Sequence, residues 1–249
     1  MAISTMMRAA IIIAGMILAG AAPPPFAQCE HRDGDCPSPC PAGDGSFGAT
    51  PSLRISAMCD DGLCTPGTDG RAFAGNARAA DAIIAAHANA NASDIVRFDN
   101  TTTGLHTSVL YTCCHTLAQL ATMRSALASL KWHAFDLNYT DVGCNVDMHG
   151  SDIVYLHAMP DAAGQAALQA LTARMDAAFA AAGVPVVHPR RSKFHMTLAR
   201  VTRAYPADAA VAALRAQGLR FGGLRACRFQ AFGADFASVE GCPPPPPGG

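Results

Sequence analysis

The chain has 249 residues, with 18 Lys and Arg against 19 Asp and Glu and a formal net charge of −1. Half of the residues are hydrophobic and 15% are charged, which excludes a disordered chain and is enough for one good-sized core. Near-neutral charge excludes a general pull toward polyanions or membrane surfaces, so any nucleic-acid contact has to be local.

In chain order, the first segment reads as a leader. Arg8 precedes "AAIIIAGMILAGAA", 14 residues without a charge, and "PPP" follows. That run is short of the roughly 20 apolar residues a spanning helix needs. A charged start, a short apolar middle and a small-residue exit make residues 1–27 a secretory signal peptide, with cleavage after Ala21 or after Ala27. The expected location is secreted, extracytoplasmic, with no membrane attachment after cleavage.

Residues 28–75 are rich in Cys, Pro, Gly and Asp and show little periodicity. They read as a disulfide-stapled segment. Ten cysteines behind a leader imply up to five disulfides. Five precede residue 65 and five follow residue 112, so full pairing needs at least one bridge between the two regions. Cys113 and Cys114 are adjacent, and a bridge between neighbours is strained, so they are expected to take different partners. Zinc is the rival use of "CPSPC" and "CDDGLC". Their spacing is looser than a two-residue gap, and an oxidising compartment disfavours thiolate ligands. Sequons stand at Asn91, Asn100 and Asn138.

From 76 to 241 the pattern is regular. "NARAADAIIAAHANA" reads as a helix and "GLHTSVLYT" as a strand. "TLAQLATMRSALASL" places Leu117, Leu120, Met123, Leu127 and Leu130 near helical spacing. "WHAFDLNYTDV" and "DIVYLHAM" read as strands. "GQAALQALTARMDAAFAAAG" is a long helix with Gly183 as its C-terminal cap. "FHMTLARV" is a strand, "PADAAVAALRAQG" a helix, and "FGGLRACRFQAFGADF" closes with strand character. Residues 242–249 are a Pro-rich tail. Mixed strands and helices imply an α+β domain rather than a doubly wound parallel sheet, and no glycine-rich phosphate loop is present.

Two of the strands carry chemistry. In "KFHMTLARV", Phe194, Met196 and Leu198 fall on one side and His195, Thr197 and Ala199 on the other. In "LHTSVLY", His106 and Ser108 share a face. An imidazole with a hydroxyl two residues on thus occurs twice, 89 residues apart. With nine histidines and 27 Ser or Thr, one His-x-Ser/Thr is expected by chance and three occur. The third, His149-Gly150-Ser151, lies in a polar turn without apolar alternation. The strand context sets the other two apart, together with a repeated plan of histidine strand followed by helix.

These residues resemble the 2H (two-histidine) phosphoesterase superfamily, which includes 2′-5′ RNA ligase-like proteins and cyclic phosphodiesterases. Its signature is a pair of His-hydrophobic-Thr/Ser-hydrophobic motifs. "HMTL" (195–198) fits fully. "HTSV" (106–109) departs at Thr107, a position often held by a larger apolar residue. The resemblance covers about residues 76–240. It implies a bilobal, pseudo-twofold fold with two antiparallel sheets flanked by helices, each lobe giving one histidine strand to a shared cleft. It also implies a metal-independent phosphodiesterase without cofactor, acting on a 2′,3′-cyclic phosphate or an RNA-type ester. By analogy His106 is the general acid and His195 the general base, with Ser108 and Thr197 binding the phosphate oxygens.

Around the second motif, Arg190, Arg191, Lys193, Arg200 and Arg203 form a stretch without an acid. Arg191 and Lys193 are candidate substrate contacts for an anionic nucleotide or RNA end. Tyr111, Tyr155 and Phe194 are candidate stacking platforms, with core packing as the competing use of each. His115, His133, His157 and His188 have no patterned partner and read as structural or surface groups. No protein partner is implied. The alternatives are an inactive phosphate-binding protein of the same fold, and a disulfide-rich extracellular interaction module.

Overall fold

The computed structural model describes residues 30–32, 53–56, 70–88, 94–99, 104–110, 115–147, 152–184, 193–219, 221–231 and 234–237. The leader, the tail, Tyr111, Arg191, the sequons at Asn91 and Asn100, and eight of the ten cysteines lie outside the described residues. The two that are described, Cys144 and Cys227, are both disulfide-bonded.

The described elements run β1 (Glu30–Arg32), β2 (Leu53–Ser56), α1 (Gly70–His87), β3 (Ile95–Phe98), β4 (His106–Leu110), α2 (Leu117–Ala128), β5 (Phe135–Asp147), β6 (Ile153–Pro160), α3 (Ala162–Ala181), β7 (Met196–Thr202), α4 (Ala207–Ala216), β8 (Phe221–Ala226), β9 (Arg228–Ala231) and β10 (Ala234–Ala237). The helices and strands read from 76 onward are present, while β3 and the division of the last strand-like stretch into β8, β9 and β10 are not read from the sequence. Local chemistry explains the helix ends. Thr116 and Gln119 form a reciprocal capping box at the start of α2. Asp161 caps α3 by accepting the Gly164 N–H at 2.7 Å. Gly183 ends α3 at a φ of +75°, a left-handed conformation that costs glycine nothing, while Val184 N–H bonds back to the Phe179 carbonyl.

The strands form one ten-stranded sheet in the order β1-β5-β6-β7-β4-β2-β9-β10, with β3 also paired to β7 and β8 to β5. Every pairing is antiparallel except β1 with β5. This corrects the expectation of two sheets. Strands β7 and β4, which carry the two histidine motifs, are hydrogen-bonded neighbours and join both halves into one sheet. Their seam is the midpoint of the eight-strand path. Two short pieces from the Cys-rich region, Glu30–Arg32 and Leu53–Ser56, also enter this sheet, because β1 pairs with β5 and β2 pairs with β4 and β9.

One face of the sheet is core. Val154, Leu156 and Ala158 of β6 join Met196, Leu198, Ala199 and Val201 of β7. Ile84 of α1, Leu168, Leu171, Met175 and Phe179 of α3, and Val211 and Leu214 of α4 complete the same cluster. In α3 those positions recur at three and four residues, one apolar stripe of an amphipathic helix. On α2, Met123 and Leu127 are buried as the spacing requires, but Leu117 in the first turn is 70% exposed. Among the described residues, no helix is long and apolar enough to cross a membrane.

Candidate active site

Thr107 of β4 stands opposite Met196 of β7, and both are fully buried. In an antiparallel pair, facing residues share a side and their sequence neighbours point the other way. Continuing the register one residue in each direction sets His106 opposite Thr197 and Ser108 opposite His195, all on the face away from the core. Each histidine therefore lies beside the hydroxyl of the other motif. His106 and His195 occupy diagonal positions, for which side-chain roots are about 7–8 Å apart. His106, His195 and Thr197 are half-buried and Ser108 is buried. The Thr107–Met196 pairing thus sets the two motifs side by side on neighbouring strands.

The His106 ring is oriented from behind. Its Nδ1 lies 2.9 Å from the Gly104 carbonyl. A carbonyl only accepts, so Nδ1 carries the hydrogen in this contact. Gly104 adopts a φ of +67°, which bends the chain so that its carbonyl meets a ring two residues on. Thr107 fits the core because its hydroxyl pairs with that of Tyr139 on β5. Burial pushes the Tyr139 phenol well above its usual range, against a smaller opposing effect of that hydrogen bond, so it stays neutral. This accounts for a polar residue at a position where the motif favours an apolar one.

His195 is positioned by its neighbour. The Gln165 side chain on α3 donates to the Phe194 carbonyl at 2.7 Å and accepts the Phe194 N–H at 2.8 Å. Phe194 itself is 1% exposed and belongs to the core. Its candidacy as a stacking platform is corrected: its ring has no face to offer a ligand.

A third histidine completes the group. His157 on β6 pairs with Thr197 and is 2% exposed. Its ring centroid is 4.8 Å from that of His195, with the planes tilted by 37°. Its burial fits the structural use read from the sequence, and the ring contact sets it against a motif histidine. Gly143 of β5 stands on its other side, where an added Cβ would come 2.9 Å from His157 Nε2. Across the strands the row runs Gly143, His157, Thr197, His106. His115 is buried and His133 exposed.

The basic stretch is less one-sided in space than in sequence. Arg200 is ion-paired with Asp99 and Arg203 with Asp152, acids contributed by other segments. Lys193 is exposed two residues before His195. Tyr155 is nearly buried, with the Arg200 guanidinium 5.1 Å from its ring centroid. Ala199 departs from the expected alternation. Between Leu156 and His157 the β6–β7 register shifts by one, so β7 has an extra residue, Ala199 turns into the core and Arg200 takes the outer face. Among the described residues, no group of three or more His, Cys, Asp or Glu comes together as a metal site.

No protein-family model matches the chain, and no curated protein matches it. Solved structures do. The chain is similar to Kluyveromyces marxianus Usb1, with 10% identity over 75% of this chain and 96% of that one, at a TM-score of 0.46. It is also similar to a crystal structure of a phosphoesterase, with 15% identity over 77% of this chain and 95% of that one, at a TM-score of 0.41. Both scores are below 0.5, and neither likeness says what the site does.

Proposed function

We propose that this chain is a metal-independent phosphodiesterase of the two-histidine type, opening a 2′,3′-cyclic phosphate or cutting an RNA-type phosphodiester. The single observation that carries the reading is the Thr107–Met196 pairing, whose register, continued one residue each way, puts two imidazoles on one diagonal and a hydroxyl opposite each. That is the arrangement acid–base attack on a phosphoester needs: one proton acceptor, one proton donor, and hydrogen-bond donors for the non-bridging oxygens.

Charge divides the labour. A carbonyl acceptor at Nδ1 holds a cationic ring better than a neutral one, which suits His106 to the acid role. A cation on His195 would lie against a second imidazole, that of buried His157, which suits His195 to the base role. Neutral His195 takes a proton from water as the water oxygen bonds to phosphorus. Protonated His106 gives its proton to the departing ribose oxygen as the phosphorus–oxygen bond breaks. Ser108 and Thr197 donate to the phosphoryl oxygens throughout. The product is a phosphomonoester, and one proton exchanged with solvent restores the pair.

The leader-like start and the ten cysteines favour an exported enzyme. The test is turnover of a 2′,3′-cyclic nucleotide with EDTA present. Conversion to a single phosphomonoester supports the reading. No turnover on cyclic or linear RNA-type esters would refute it.

A further inference from the structure

One residue pair along the sheet from the histidines lies a second polar group on the same face. Tyr155 precedes His157 by two residues on β6, so both point the same way, about 7 Å apart. Tyr155 pairs with Arg200, and Arg200 pairs with Arg97 of β3. The row Tyr155, Arg200, Arg97 therefore runs beside the row His157, Thr197, His106.

Beneath the two arginines sits Asp99, whose side chain is 1% exposed. Its Oδ1 lies 3.2 Å from Arg97 Nε and 3.5 Å from Arg200 Nε. Neither contact has hydrogen-bond alignment, and both Nε atoms are closed off from solvent. Yet 32% and 29% of the two side chains are exposed, so that exposure belongs to their stems and Nη ends. One carboxylate faces two guanidiniums, which leaves the trio with one net positive charge. A buried Asp needs a single partner for neutrality; the second arginine is in excess of that need. The Tyr155 ring under Arg200 holds that guanidinium in place. Paired planar forks on a fixed base suit a phosphate better than a diffuse charge does.

We propose that Arg97 and Arg200 form a second phosphate subsite, for the phosphate one nucleotide away from the one held between the histidines. One ribose with its flanking phosphates covers the spacing between the rows. The inference rests on the two-histidine reading for what occupies the neighbouring row. The preferred substrate class is then a nucleotide carrying a further phosphate, or a short RNA chain, rather than an unphosphorylated cyclic nucleoside.

The test is calorimetric binding of two ligands that cannot be turned over, a nucleoside 3′-phosphate and the matching 3′,5′-bisphosphate. The wild type should bind the bisphosphate about tenfold more tightly or better. Arg97→Gln and Arg200→Gln should each lose that preference and keep wild-type affinity for the monophosphate. In the wild type alone, the preference should shrink as salt rises, a readout that needs no variant to fold. Equal affinities in the wild type, a salt-independent preference, or a preference kept in both variants would overturn the subsite. Preference retained without any esterase turnover would overturn the catalytic reading and leave the subsite standing. Turnover without preference would do the reverse.

Discussion

The side-chain amide of Gln165 pairs with both backbone groups of Phe194, as a neighbouring strand would, at the residue just before His195. A helix residue thus fixes where β7 begins and where the His195 ring starts from. Gln165→Leu leaves the Phe194 N–H and carbonyl without this partner and loosens the approach to the site. The expected result is a kcat lowered about 10- to 100-fold, because small misplacements of a reacting group are expensive. KM should stay within about twofold, since Gln165 is a positioning residue and touches no ligand. Steady-state kinetics on a cyclic nucleotide checks it, and a rise in KM with kcat unchanged would count against the role.

Gly143 leaves room for His157 that no other residue would. A methyl group there meets His157 Nε2 at 2.9 Å, and His157 is buried against His195, so the ring has to move toward its neighbour. Gly143→Ala is therefore expected to lower kcat by about tenfold or more. His157→Ala removes the neighbouring imidazole and with it the reason for His195 to stay neutral. Its pH–rate profile should have its acidic limb, set by the base that must lose its proton, shifted to higher pH relative to wild type. Superimposable profiles would remove His157 from the site's chemistry.

Tyr139 and Thr107 share a buried hydroxyl pair beneath the motif. Tyr139→Phe strands the Thr107 hydroxyl and should cost about 1–3 kcal/mol of stability. Thr107→Val with Tyr139→Phe should recover part of that loss, because both polar partners are then gone. Chemical denaturation of the two variants measures the difference.

The same phenol makes stability fall at alkaline pH. Burial raises the pKa of Tyr139 and of Tyr205 above the usual 10, the latter also bonded to the Ile84 carbonyl at 2.8 Å. Below pH 10 both phenols are neutral in the folded and unfolded chains, and their contribution is complete. Above it the unfolded chain releases these protons and the folded one does not, so stability declines with rising pH, by about 1.4 kcal/mol per pH unit for each group. Tyr205→Phe should flatten that decline in denaturation curves recorded above pH 10. An unchanged slope would contradict the burial argument.

Much of this was legible because period-two and 3.6-residue patterns were clean. His106, Ser108, His195 and Thr197 stood out against apolar neighbours that alternate with them, and the core confirms those neighbours in Val109, Met196 and Leu198. His157 gave no such signal. On β6 nearly every residue is buried, so both faces read as apolar and the histidine looks like packing. Its contact with His195 needs the β6–β7 pairing, which spans a helix and 35 residues of chain or more. Strands β1, β2 and β3 are three or four residues long, too short for periodicity to register. Ala199 and Arg200 were exchanged between faces by one bulge, a shift no alternation rule anticipates. Gln165 acts through a tertiary contact alone, and nothing local marks it; Asp99 reaches Arg97 two residues back, but its contact with Arg200 is tertiary.

The most direct measurement is hydrolysis of a 2′,3′-cyclic nucleotide, with EDTA present, by the wild type, His106→Ala and His195→Ala, each confirmed folded by its thermal transition. If the two rings are the acid and the base, each variant loses about 100-fold or more in kcat. The doubly substituted protein then falls little further than the worse of the two, because the pair acts as a unit. Turnover in either folded single variant at the wild-type rate would contradict the two-histidine account.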